Sequence, residues 1–286
     1  MLNIIKADFF RLRKGKAIYA VLLGMFGIIM AMTFLLSAIS IGWVSEENQV
    51  LNGSGIVTIE STDEEVQDNA ELLASLVPEN GAEFVSSMYS DMGSIMNMFV
   101  LVFIIVVFGV DYSSHTYKNI LSYHTKRSKI YLSKIGLSSL LAIGSLLIWG
   151  LISFVIGGIS FGFQGYNAEN ILPMITGVAL MIPMLLAFVS IGYCLVVFTK
   201  KTSATIATYI IGGITIGTVL QIAALMFPAK RWIPRLDLAS SMGEMMKYQT
   251  LETLDIMIPM GIAVVLIILT TGIGLYKYKK TDFDLN

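Results

Sequence analysis

The sequence predicts an all-α integral membrane protein with six transmembrane helices and both termini cytoplasmic. Three observations carry that prediction. The 286 residues are 55% hydrophobic and only 14% charged, with a mean hydropathy of +0.75, whereas a soluble domain carries about 25% charged residues. Six apolar tracts have lengths compatible with the ~20 residues that a membrane-spanning helix requires. Finally, fifteen of the nineteen Lys and Arg fall in segments that would share one side of the membrane. The positive-inside rule, which counts these bases and not the acids, places that side in the cytoplasm.

Residues 1–16, MLNIIKADFFRLRKGK, place Leu2, Ile5, Phe9 and Leu12 at spacings of three and four, with Lys6, Arg13 and Lys14 opposite. This pattern predicts an amphipathic helix lying in the membrane interface. Phe9 and Leu12 would enter the acyl boundary, with Arg13 and Lys14 near anionic head groups of the bilayer. A basic flank that only sets topology is the alternative. Residues 17–45 carry no charge and form the first predicted span; the tract is too long for the core of a cleavable signal peptide.

Residues 46–91 contain eleven acids and no Lys or Arg. Within them, residues 56–59 (IVTI) suit a short strand. Ser61 with Glu64 and Thr62 with Glu65 suit capping boxes, and Val66, Ala70, Leu73 and Val77 form a helical stripe that ends at Pro78. An acidic external domain is expected, which either attracts cationic molecules or is simply a solvated surface. Further spans are predicted at 92–110, 135–160, 171–199, 202–227 and 256–276, with a cytoplasmic tail over 277–286. Pro173 and Pro259 fall where helices are expected to start, and Pro183 should kink the fourth span. Residues 228–255 mix Lys230, Arg231, Arg235 and Lys247 with Asp237, Glu244, Glu252 and Asp255. Leu238, Met242, Met245 and Met246 there predict a small external helical cap resting on the outer leaflet.

Between spans two and three, residues 111–134 form a basic island holding Lys118, Lys126, Arg127, Lys129 and Lys134. Its apolar residues recur at near-helical spacing, which predicts a broken amphipathic helix along the membrane face. The chemistry missing from the rest of the chain is informative. There is no G-x-x-x-x-G-K-[ST] phosphate loop, Cys194 is the only cysteine, and His115 and His124 are the only histidines, without a ligand pattern around them. No Asp, Glu, Lys, Arg or His lies near the middle of any tract, although ion-coupled transporters and proton relays need such groups. Catalytic residues for an intramembrane peptidase are missing too. Asn97 and Gln221, the polar exceptions, suit hydrogen bonding between helices.

The island resembles the cytoplasmic coupling segment of type-2 ABC exporter permeases. There an acid, a Thr-Lys-Asn-x-Leu run, a basic turn and a Tyr-Leu-x-Lys follow the second span. Here these are Asp111, Thr116, Lys118, Asn119, Leu121, Arg127, Tyr131, Leu132 and Lys134. The basic start, the six spans, the domain after span one and the cap before span six extend the resemblance over the whole chain. Two departures are His115, where the family often has glycine, and the missing proline in SYHTKR.

The resemblance implies a permease subunit, not itself an enzyme, in a bacterial plasma membrane. Asp111, Tyr112, Ser114, His115, Thr116, Lys118 and Asn119 would contact a separate ATPase subunit, present in two copies, supported by the basic turn at Lys126, Arg127 and Lys129. ATP and Mg would be held by that ATPase, with no cofactor in this chain. A second permease, identical or paralogous, would complete the unit. The implied substrate is an amphipathic or cationic peptide, as in lantibiotic immunity, or a lipid-like molecule; nucleic acid is not expected. Two other functions fit the residues less well: a membrane-embedded ligand sensor or scaffold of a resistance system, and an ion-coupled secondary transporter.

Overall fold

The structure is a computed structural model. It describes residues 2–35 except 15, 17, 18, 21, 22 and 25; 78–113 except 79 and 91; 127–227 except 164; and 230–280 except 231. The described residues are helical, without a strand. In chain order the helices are α1 (Leu2–Lys14), α2 (Phe26–Leu35), α3 (Gly81–Ser90), α4 (Met92–Ser113) and α5 (Arg127–Phe161). There follow α6 (Ala168–Thr199), α7 (Thr202–Met226), α8 (Leu238–Glu244) and α9 (Thr253–Lys280).

Four helices, α5, α6, α7 and α9, are long and apolar enough to cross a membrane. A fifth candidate is the pair α3–α4, bent by 63° between its arms. Most of the first predicted span lies outside the described residues; within it, α2 is a short apolar helix. The possible strand at 56–59 and most of the acidic domain also lie outside them. Helices α6 and α9 start earlier than the apolar tracts suggest, so Pro173, Pro183 and Pro259 are all interior to helices. Each removes one backbone donor from its helix.

Side-chain contacts give the directions of the helices. Tyr131 and Ser138 on α5 meet Tyr193 on α6, and Ser145 lies by Met96 on α4. On α9, Thr270 donates to Ser190 of α6 at 3.0 Å, and Gly274 lies beside Cys194. Helices α6 and α9 therefore run parallel, with α5 antiparallel to both. The core between them holds Trp149, Met181, Met184, Leu185 and Tyr193, all essentially inaccessible.

Two ends result. At one end α3 lies along the last turns of α5: Phe84 stacks on Phe161 with ring centroids 5.2 Å apart, and Tyr89 donates to the Leu146 carbonyl at 2.9 Å. Gly150 and Gly157 make this seam possible, since a Cβ at either position would strike Tyr89 or Phe84. The α8 cap closes the same end. Asp237 caps α8 by accepting from the Ala239 N–H at 3.1 Å. Leu238, Met242, Met245 and Met246 are all buried, packed onto the helices below them. Arg235 pairs with Glu244 and, at 3.1 Å, with Asp255. Arg235, one of the four bases outside the segments expected in the cytoplasm, is thus neutralised inside the cap.

Helix α7 differs from the others. Its sequence is apolar on every side, yet only Thr205 and Tyr209 are buried. Such a helix needs lipid or a partner around it.

Candidate functional site

The opposite end of the bundle gathers the bases. Helix α5 begins at Arg127 and continues unbroken, so Lys129 and Lys134 belong to its first turns. Bases in a first turn oppose the helix dipole, and packing holds the turn in place. Ile130, Tyr131, Ser133 and Lys134 are buried. The Tyr131 ring lies 6.4 Å from that of Tyr193, edge to face, and 5.3 Å from that of Tyr278. Three helices, α5, α6 and α9, are joined through this aromatic cluster. Gly274 leaves the space for it, because a Cβ there would meet the Tyr131 hydroxyl.

Helix α1 lies against α5 through Ile5, Asp8 and Leu12, with Asp8 and Leu12 buried. The Asp8 carboxylate accepts an ion pair from Lys134 Nζ at 2.8 Å, with both side chains almost fully enclosed. Burial of two charges is tolerated when they meet this closely. Leu12, expected in the acyl boundary with Phe9, is buried in the protein, whereas Phe9 is 50% exposed and Phe10 51%. Lys14 lies over the Phe10 ring at 4.7 Å, and the side chain of Arg13 lies outside the described residues.

The remaining bases form the surface of this end. The Arg127 guanidinium donates to the Lys279 carbonyl at 3.4 Å, joining the start of α5 to the end of α9. Lys277 reaches over the Phe198 ring. Helices α6 and α7 turn through Lys200, whose φ of 55° is left-handed, and its N–H closes onto the Val196 carbonyl at 3.0 Å. Thr199 and Thr205 share a hydrogen bond across that turn at 2.6 Å. Lys6, Lys14, Lys16, Lys129, Lys200, Lys201, Lys279 and Lys280 are all exposed here. A field of one sign on one face attracts anionic partners, whether protein or lipid.

Of the predicted coupling residues, Asp111 and Tyr112 occupy the last turn of α4; Ser114, His115, Thr116, Lys118, Asn119 and Lys126 lie outside the described residues. Arg127 and Lys129 are together at the start of α5, the former engaged with α9 and the latter exposed. The residues that sequence reasoning missed are Asp8, Tyr193 and Tyr278. Asp8 had a signal: it is the lone acid among the bases of residues 1–16, spaced three from Ile5 and four from Leu12. No group of three or more His, Cys, Asp or Glu able to hold a metal occurs among the described residues. In the loop after α5, Tyr166 donates to the Phe154 carbonyl at 3.3 Å, and partial burial pushes its phenol upward.

No curated protein and no solved structure matches the chain. A family profile described as "Protein of unknown function (DUF2705)" matches residues 67–283, which is most of the sequence, and the chain belongs to that family.

Proposed function

We propose that this chain is the membrane-spanning permease subunit of an ATP-driven exporter of the type-2 ABC class, in a bacterial plasma membrane. It would move an amphipathic substrate, a peptide or a lipid-like molecule, with energy from a separate ATPase. One observation carries the reading. The basic segment between α4 and α5 leads directly into a buried junction, where Tyr131 meets Tyr193 and Tyr278 and Lys134 meets Asp8. A push on residues 114–126 would enter α5 at that junction and reach α1, α6 and α9 together. A flexible loop on an unbraced helix would dissipate the same push locally.

Helix α7 supports a paired arrangement. Its outward face carries Ile211, Ile214 and Ile222, all more than half exposed, and its inner side meets α4 at Tyr209 and Asn97. A second permease, identical or paralogous, would meet α4 and α7, and the translocation surface would lie between the two copies. Asp111 and the residues to Asn119 would contact the ATPase, with Lys126 and Lys129 holding the contact electrostatically.

The test is recovery of the chain from its native membranes in mild detergent. An ATPase should co-purify, and Lys118 should cross-link to it. Asp111→Asn and Thr116→Ala should abolish substrate-stimulated ATP hydrolysis and leave substrate binding intact. The reading fails if no ATPase accompanies the chain, or if Lys118 reacts with a reagent confined to the cell exterior. Transport that persists without any ATPase would support the ion-coupled alternative.

A further inference from the structure

A half-open groove runs between α1 and α5. Phe9 and Phe10 line it from α1, Leu137, Leu140 and Leu141 from α5, and the exposed Lys6 is the charged residue of its lining. Its walls are otherwise apolar. The cavity measures about 380 Å³, room for roughly a dozen methylenes if each takes a volume near the ~30 Å³ of a water in the liquid. That suits part of one acyl chain.

The helix that forms the outer wall has an unusual division of charge. Phe9 and Phe10 follow Lys6 by three and four residues, and Lys14 follows Phe10 by four, so they share a face. Lys6 and Lys14 are exposed, about 12 Å apart along the axis at 1.5 Å per residue. The only acid on α1, Asp8, faces the other way and is enclosed with Lys134. An anion arriving at Lys6 therefore meets positive charge without an exposed carboxylate on the same helix to oppose it.

We propose that this groove is a binding site for one anionic phospholipid of the surrounding bilayer, with an acyl chain between α1 and α5 and the phosphate at Lys6. A zwitterionic lipid would fill the same apolar space but lose much of the attraction at Lys6. Lys14, held over Phe10, adds positive charge further along the helix. The proposal requires α1 at the membrane surface and does not depend on an ATPase partner.

The experiment uses the full chain in phosphatidylcholine nanodiscs doped with a trace of lipid carrying a photoreactive acyl chain, either phosphatidylglycerol or phosphatidylcholine. Cross-linked peptides are mapped by mass spectrometry. The phosphatidylglycerol probe should label residues 5–10 and 137–141 about five-fold more than the phosphatidylcholine probe, the effect expected of one base near an anionic head group. Lys6→Gln should remove that preference, Lys6→Arg should keep it, and labelling of the exposed face of α7 should not change. Leu140→Trp, which occupies the groove, should reduce labelling by both probes there. Equal labelling by the two probes, or a preference that survives Lys6→Gln, overturns the proposal. So does full competition by millimolar inorganic phosphate, which would mark a site for the free ion.

Discussion

Asp8 and Lys134 provide the sharpest test of how α1 is attached. Their charged atoms are 2.8 Å apart, and the side chains are 8% and 4% exposed. At an effective dielectric of ~20, two unit charges at that distance attract by about 6 kcal/mol. Desolvation of each ion costs several kcal/mol, so the pair contributes little net stability compared with two apolar side chains. Removal of one partner is different, because it leaves the other charge enclosed, at a cost of about 3–5 kcal/mol. Lys134→Met or Asp8→Leu alone should therefore weaken docking of α1 on α5 by a hundred-fold or more, at about 1.4 kcal/mol per factor of ten. The double variant should recover most of the loss. Hydrogen exchange of the α1 amides in detergent reads this directly: fast in each single variant, slow again in the double. Single variants with unchanged exchange, or a double variant whose loss is the sum of the two, would refute the reasoning.

Two further outcomes concern the opposite end. A Cβ at Gly243 would strike the Ser90 carbonyl oxygen, whereas one at Gly261 meets nothing within 4 Å. Gly243→Ala should lower the thermal midpoint in detergent by the equivalent of about 1–3 kcal/mol, and Gly261→Ala should leave it unchanged or raise it slightly. Arg235→Ala strands Asp255 and, less severely, the more exposed Glu244. A loss of about 1–3 kcal/mol and faster proteolysis at residues 245–252 should follow, with Arg235→Lys recovering only part because it lacks the guanidinium fork.

What the sequence makes legible follows from what each pattern encodes. Long apolar runs specify helices in a membrane, because every backbone group must be paired within the segment, and α5, α6, α7 and α9 follow from that alone. The cap was legible as well, since Leu238, Met242, Met245 and Met246 are spaced to share one face, and all four are buried. Their contact is with the helices beneath them; an amphipathic stripe says what is buried but not against what. The start of α5 was harder to place. Lys129 and Lys134 break the hydropathy, so the apolar tract begins near residue 135, yet the helix starts at Arg127. Asp8, 126 positions earlier in the chain, supplies the opposite charge that offsets the burial of Lys134, and no local window contains both. The same limit hid the Tyr131, Tyr193 and Tyr278 cluster, whose members are ordinary aromatic residues until three helices bring them together.

Asn97 is readable from sequence and bears on α7, which buries few side chains. Within a bilayer, lipid is as apolar as the neighbouring helices, so packing and hydrogen bonds, and not hydrophobic burial, hold helices together. Helix α7 buries only Thr205 and Tyr209, and the Tyr209 hydroxyl donates to the Asn97 side-chain carbonyl on α4. That bond and the Thr199–Thr205 contact at the turn are polar ties between α7 and the bundle. Asn97→Leu should weaken the α4–α7 association by about 0.6–2 kcal/mol. The expected readout is loss of disulfide cross-linking between cysteines placed on the facing turns of α4 and α7, with α5, α6 and α9 unaffected. Cross-linking as efficient as in the parent chain would mean that α7 is held by a partner outside this bundle. The exposed isoleucines of its outer face would then be the place to seek that partner.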